Sequence, residues 1–295
     1  MYKFRETEAV GSALEEPKKP ADNRKHKVAV SQIVLNTFII SLFVLGLYPL
    51  MMALWCSFKT PDQYTMYKWF PTLPLRMENL TLAFGRIKGY MGRTILVAVL
   101  GTSLTIFVTT MAGFTIAKLK FFGAKFMVSL ILGLNMLPGV LTLVPVVMLY
   151  HSLNLNNTLW ALILPGVFST GTTFLLMCSF RGLPDSLFEA AEIDGANDFQ
   201  KYLLIGVPLG LPIIATIAIM QFSGTWSDFA WPMLMMTKEN YTIAAGLKVE
   251  FFDTTGTSTT VSFAAYLMSS IPLIILFFFT NRVYAEGIVA SGLKL

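Results

Sequence analysis

The chain has 295 residues, of which 55% are apolar and only 13% charged. A soluble domain carries about 25% charged residues. This composition therefore excludes a soluble enzyme, a nucleic-acid-binding domain and a disordered protein, and the placement of the net charge of +5 favours a membrane partner.

In chain order, residues 1–27 are hydrophilic, with seven Lys/Arg and five Asp/Glu. Five windows then lack Asp, Glu, Lys and Arg altogether: 28–58, 94–117, 126–180, 202–227 and 254–281. About 20 apolar residues cross a bilayer as a helix. Four windows hold one crossing each, and the third is long enough for two. Its middle, from His151 to Asn157, is polar and turn-prone and reads as a short hairpin loop. The expected fold is an all-α membrane protein with six transmembrane helices. It comprises an N-terminal segment over 1–29, a membrane domain over 30–281 and a C-terminal tail over 282–295.

The first window is too long for a signal-peptide core, so Val30–Trp55 reads as an uncleaved first helix. Lys18, Lys19, Arg24, Lys25 and Lys27 precede it and should stay inside. Alternation then places Lys118–Lys125 inside, and the loop at 151–158, without Lys or Arg, outside. Inside segments hold 14 Lys/Arg and outside segments 8, so both termini are expected in the cytoplasm. Segments 59–93 and about 228–258 face outward, and 181–201 faces inward.

Pro138–Gly139, Pro145 and Pro165–Gly166 interrupt the third and fourth helices. Proline removes a backbone hydrogen bond, and in lipid the freed carbonyl needs protein or water nearby. These breaks fit ordinary bundle packing as well as a gated pathway. No Asp, Glu, Lys or Arg lies mid-membrane, where proton-coupled carriers place an ionisable group. Asn135 and Asn36 are polar groups in the membrane, and each reads also as an interhelical hydrogen bond. Trp160, Trp226 and Trp231 could stack on a sugar ring or anchor the chain at an interface. No G-x-x-x-x-G-K-[ST] or H-E-x-x-H occurs. His26 and His151 fall in different compartments, and Cys56 and Cys178 lie far apart in sequence. No catalytic residue, metal site or cofactor is expected in this chain.

The inward segment 181–201 holds five of the seventeen acidic residues. Ser186 and Glu189 have capping-box spacing, so a helix is expected to begin there. Leu187, Ala190, Ala191 and Asp194 share one small apolar face. Gly195 supplies a left-handed stop, and Asn197 or Asp198 can cap a second helix. The pattern is a short helix, a sharp turn and a second helix that enters the membrane. A helix with an alanine face approaches another backbone closely and buries little alone, so it reads either as a docking element or as a solvated loop.

Glu189-Ala190-Ala191, three residues, Gly195, nine residues, Ile205-Gly206-Val207-Pro208 resembles the E-A-A-x3-G-x9-I-x-L-P motif of ABC-importer permeases, departing by Val207 for Leu. The form Glu-Ala-Ala-Glu-Ile-Asp-Gly-Ala resembles the carbohydrate-uptake branch, the MalG-like maltose-type permeases. Met136-Leu137-Pro138, Val144-Pro145, Gly224-Thr225-Trp226-Ser227-Asp228-Phe229, Trp231-Pro232 and Glu286-Gly287 extend the likeness. Ser227 stands where this branch commonly has Asn, Arg93-Thr94 where it often has Asn-Ser, and the tail after Ile288 is looser.

The resemblance implies a type I importer fold in a bacterial-type inner membrane, with no cofactor of its own. It implies a second, MalF-like permease chain, two cytoplasmic ABC ATPase subunits that bind ATP and Mg, an extracytoplasmic solute-binding protein and a sugar substrate. Nucleic acid is not an implied partner. It assigns Glu189, Ala190, Ala191, Asp194, Gly195 and Ala196 to ATPase docking, and the outward loop around Asp253–Thr260 to the binding protein. Asn135, Trp226 and Asp228 are candidates for the substrate pathway. The competing reading is a secondary carrier or channel that works without ATPases.

Overall fold

The computed structural model describes residues 23–252 and 258–292, and every regular element among them is a helix. Lys18, Lys19, Asp253 and residues 293–295 lie outside the described residues. The helices are α1 Asn23–Ser57, α2 Pro61–Met66, α3 Glu78–Lys118, α4 Ala124–Asn135, α5 Gly139–Ser152, α6 Leu159–Val167, α7 Thr170–Arg181, α8 Asp185–Ile193, α9 Asp198–Lys201, α10 Val207–Ser227, α11 Ala230–Met235, α12 Ile243–Leu247 and α13 Thr259–Gly292. A π-turn over Tyr202–Gly206 joins α9 to α10.

Among the described residues, five helical stretches are long and apolar enough to cross a membrane: Gln32–Ser57, Glu78–Lys118, Leu159–Arg181, Asp198–Ser227 and Thr259–Phe278. The pair α4–α5 makes a sixth if it counts as one span, and it is bent by 100°. The bend falls where the sequence places Pro138, which caps α5 in an extended conformation. The hairpin between α5 and α6 also falls where it was expected.

The chain divides into two units, Met1–Met51 and Met52–Leu295. In the first, α1 exposes its apolar side chains from Gln32 onward, as a span in hydrocarbon does. In the second, α3 is the axis, 41 residues long and about 60 Å from end to end at 1.5 Å per residue. It packs against α6, α7, α10 and α13. Ala83, Ile87, Thr94, Ala98, Gly101, Thr105, Thr109 and Gly113 are buried along it at helical spacing. Small residues let helix backbones approach closely where lipid offers no hydrophobic drive. A Cβ on Gly113 would stand 2.9 Å from Leu176 Cβ and 3.1 Å from the Met177 amide nitrogen, so α3 and α7 touch almost backbone to backbone. Two of the stripe's hydroxyls bond within the helix, Thr94 to the Tyr90 carbonyl at 2.7 Å and Thr109 to that of Thr105 at 2.6 Å.

Pro208 explains the π-turn. It has no N–H to donate, and its ring crowds the carbonyl four residues earlier, so the helix widens over 202–206 before resuming as α10.

Candidate functional site

The segment between α7 and α9 is built by two terminal motifs in series. Gly195 has φ 82°. Its N–H bonds the Glu192 carbonyl at 3.0 Å, and the Ala196 N–H bonds that of Ala191 at 2.9 Å. This is the left-handed glycine stop with its two reversed hydrogen bonds. Asn197 then starts α9 with a reciprocal box. Its Oδ1 accepts from the Gln200 amide, and Gln200 Oε1 accepts from the Asn197 amide, both at 2.9 Å. Three residues separate the end of one capped helix from the cap of the next, so α8 has a fixed direction relative to α9.

The expected capping box at Ser186 and Glu189 is absent. The helix begins one residue earlier, at Asp185 behind Pro184, without a side-chain cap. The reason is a lysine from α3. Lys118 Nζ donates to the Leu183 carbonyl at 2.7 Å and to Asp185 Oδ1 at 2.6 Å, and lies 5.0 Å over the Phe188 ring. That hydrogen bond, backed by the ammonium charge, holds the Asp185 carboxyl below its ordinary value. Lys201, in the last turn of α9, reaches Asp198 at 2.8 Å and Glu192 at 3.3 Å.

Phe188 roots the helix in the bundle and is 8% exposed. It meets the Phe114 ring at 5.8 Å. Phe114 also meets Phe180 edge-on at 5.7 Å and Tyr202 at 5.4 Å. The Tyr202 hydroxyl lies 2.8 Å from Thr110 Oγ1 on α3. Gly206 and Gly210 leave room for this cluster. A Cβ on either would stand 2.9 Å and 2.8 Å from the rings of Phe114 and Phe180 respectively. The sequence face named for α8 omitted Phe188, whose only signal is an aromatic residue inside an otherwise polar segment. Of that face, Ala191 is half-buried, while Leu187, Ala190 and Asp194 are exposed. Glu189 and Gly195 are exposed and Ala196 is half-buried. Ile193 stands 88% exposed at the tip.

At the opposite end of α3, Arg93 donates to the Glu239 and Tyr241 carbonyls at 3.0 Å each and to Asn240 Oδ1 at 2.9 Å. Thr94 Oγ1 accepts from the Ile243 amide at 2.7 Å and so caps α12. Asn157 Oδ1 accepts from the Thr237 amide and from Asn240 Nδ2 at 3.2 and 2.9 Å. The Arg93-Thr94 departure in sequence therefore staples the 237–243 loop to α3, and Asn157 staples it to the α5–α6 hairpin.

Each of the three pathway candidates makes its own local contacts. Trp226 is 3% exposed, donates its indole N–H to the Ser269 carbonyl at 3.1 Å and stacks on Phe222. Asp228 caps α11, accepting from the Ala230 and Trp231 amides at 3.0 and 3.2 Å. Asn135 is exposed beside the α4–α5 bend, with Nδ2 on the Ile131 carbonyl at 2.8 Å and Oδ1 accepting from Thr170 at 3.3 Å. Sequence reasoning missed a cleft of about 390 Å³ lined by Thr142, Val146, Tyr150, Pro165, Phe168 and Trp231. It draws on α5, α6 and α11, which no local spacing connects.

The chain is 30% identical over 277 residues to the probable ABC transporter permease protein YurM of Bacillus subtilis, covering 92% of each chain. It is 27% identical over 279 residues to the arabinooligosaccharides transport system permease protein AraQ of Halalkalibacterium halodurans, covering 92% of this chain and 99% of that one. A solved bacterial ABC transporter involved in the import of the acidic polysaccharide alginate contains a chain of the same fold. The match has TM-score 0.77 and 21% identity, over 90% of this chain and 99% of that chain. The profile of one family, described as binding-protein-dependent transport system inner membrane component, matches residues 109–288. With the α8 segment inside that match and the likeness to YurM running almost end to end, the chain belongs to the binding-protein-dependent inner-membrane components, the permeases of ABC importers.

Proposed function

We propose that this chain forms half of the translocation pathway of a sugar importer and is moved by separate ATPase subunits that grip α8. The cargo is an oligosaccharide, acidic ones included. A solute-binding protein delivers it at the outer face, and a second, different permease chain completes the pathway. ATP and Mg bind in the two ATPases. Both termini and α8 lie in the cytoplasm, and the stapled 237–243 loop faces outward. The substrate pathway includes Asn135.

The carrying observation is the construction of α8. A helix nine residues long is stopped by Gly195, recapped within three residues and rooted by one buried phenylalanine. Its other side presents Leu187, Ala190 and Ile193 to the surroundings. Four acidic residues, Asp185, Glu189, Glu192 and Asp194, edge this surface. An apolar ridge of that size docks in a groove of a partner. The oligosaccharide reading is supported by the naming of AraQ for arabinooligosaccharides, and the acidic one by the alginate importer that shares the fold.

The test is co-purification with the cognate ATPases, followed by reconstitution. Glu189→Lys places a cation within the first turns of α8, against the helix dipole. ATPase stimulation by loaded binding protein should fall while the chain still inserts. A detergent-solubilised wild-type chain that never retains an ATPase subunit sinks the proposal. Calorimetry on the cognate binding protein identifies the sugar.

A further inference from the structure

Two lysines do something the motif itself does not. Lys118 ends α3, and its side chain is 5% exposed; its partner Asp185, at the start of α8, is 79% exposed. Lys201 ends α9, and its side chain is 11% exposed; its partners Glu192 and Asp198 are 73% and 61% exposed. The lysine side chains are therefore mostly buried and their carboxylate partners mostly exposed, Asp185 and Glu192 on the projecting α8 and Asp198 on α9. Ion pairs with exposed partners add little to stability, and sequestering an ammonium group from water opposes even that. Their geometry is the better guide to their role.

Each lysine holds a different end of α8. Lys118 takes the Leu183 carbonyl and Asp185 where the chain enters the helix. Lys201 takes Glu192 in the last turn of α8 and Asp198 in the first turn of α9. The Lys201 contact spans the Asp194–Asn197 turn, whose glycine is the one left-handed position between the two helices. That contact ties the last turn of α8 to α9 side chain to side chain, beside the turn itself. Phe188 lies between the two grips, in the aromatic cluster with Phe114 and Tyr202.

We infer that Lys118 and Lys201 are positioning residues that divide the displacement of α8 between two spanning helices. Lys118 passes it to α3, and Lys201 passes it across the glycine turn to α10. The inference rests on the reading of α8 as the ATPase-docking element.

The experiment uses the complete reconstituted importer carrying Lys201→Met, Lys201→Arg or Lys118→Met in this chain. It reads ATPase retention, ATP hydrolysis and solute moved per ATP hydrolysed. Methionine keeps an apolar stem; at Lys201 it leaves behind carboxylates that are already mostly exposed, and at Lys118 it also removes the donor to the Leu183 carbonyl. Lys201→Met should keep the ATPases bound and hydrolysing, while solute per ATP falls by about twofold to thirtyfold, the range over which residues in a coupling network alter coupling. Lys201→Arg should restore most of the yield, and Lys118→Met should lower it on its own. The double variant Glu192→Gln, Asp198→Asn should reproduce Lys201→Met with the lysine still present, which covers the case in which Lys201→Met does not assemble. Wild-type solute per ATP in that double variant, or in an assembled Lys201→Met, overturns the inference. Failure of the wild-type chain to retain ATPases overturns the docking reading, and the inference with it.

Discussion

Nothing stands within 4 Å of the position a Cβ would take on Gly195, yet its φ is 82°. A side chain there meets open space, and its cost is all backbone, about 1 kcal/mol or more for a β-branched residue. Gly195→Val should therefore insert normally and lose transport; uptake equal to wild type in membrane vesicles would remove Gly195 from the coupling scheme. Asp185 gives a pH signature. Its carboxyl is held below the ordinary value of 3.8 by Lys118. A lowered carboxylate contributes stability above its unfolded value and loses it as pH falls through the folded one. Thermal melts of wild type and Asp185→Asn in detergent should differ slightly at neutral pH and converge below pH 3.8. Gly195 and Asn197 were legible in the sequence because each acts within three residues of itself. Phe188 and Lys118 were not, since their partners lie far along the chain. Ser186 misled because a local cap lost to a lysine 67 residues away.

Helices α3 and α7 meet at Gly113, where an added Cβ collides with a backbone nitrogen that cannot swing aside. Gly113→Val should cost about 1–3 kcal/mol, as overpacking of a tight core does, read as a lower melting midpoint in detergent. An unchanged midpoint would mean that the two helices do not pack this closely. Element lengths were only partly legible. The charge-free window at 94–117 marks what must avoid charge in lipid, whereas α3 starts at Glu78 and carries Arg86, Lys88 and Arg93 on its first half. Pro138 announced a break between α4 and α5, but a missing hydrogen bond does not specify a 100° bend. That angle is set by what α4 and α5 each pack against.

The second unit joins two polar ends through one long helix. At one end Arg93 and Thr94 of α3 hold the 237–243 loop; at the other Lys118 of the same helix holds α8. A displacement at α8 thus has a packed route along α3 to the 237–243 loop. No part of that route supplies energy. In vesicles without ATPases, partner permease or nucleotide, the purified chain should move no solute, and robust flux of a labelled oligosaccharide would return the secondary-carrier reading. Membrane class was legible from composition alone, because lipid forbids charge over whole windows. The cleft beside Trp231 was not, because helices distant in sequence build it.

The π-turn at Tyr202–Gly206 has a consequence for insertions and deletions. Such a turn is a helix with one residue to spare. Removing Leu204, which is 69% exposed, should let the segment tighten to ordinary pitch while α10 keeps its azimuth and Trp226 stays on the Ser269 carbonyl. Removing one residue inside α10 instead swings everything beyond it by about 100°, one residue's share of a turn, and carries Trp226 off that carbonyl. Paired single-residue deletions, scored by tryptophan fluorescence and expression level, should come out tolerated in the first case and ruinous in the second.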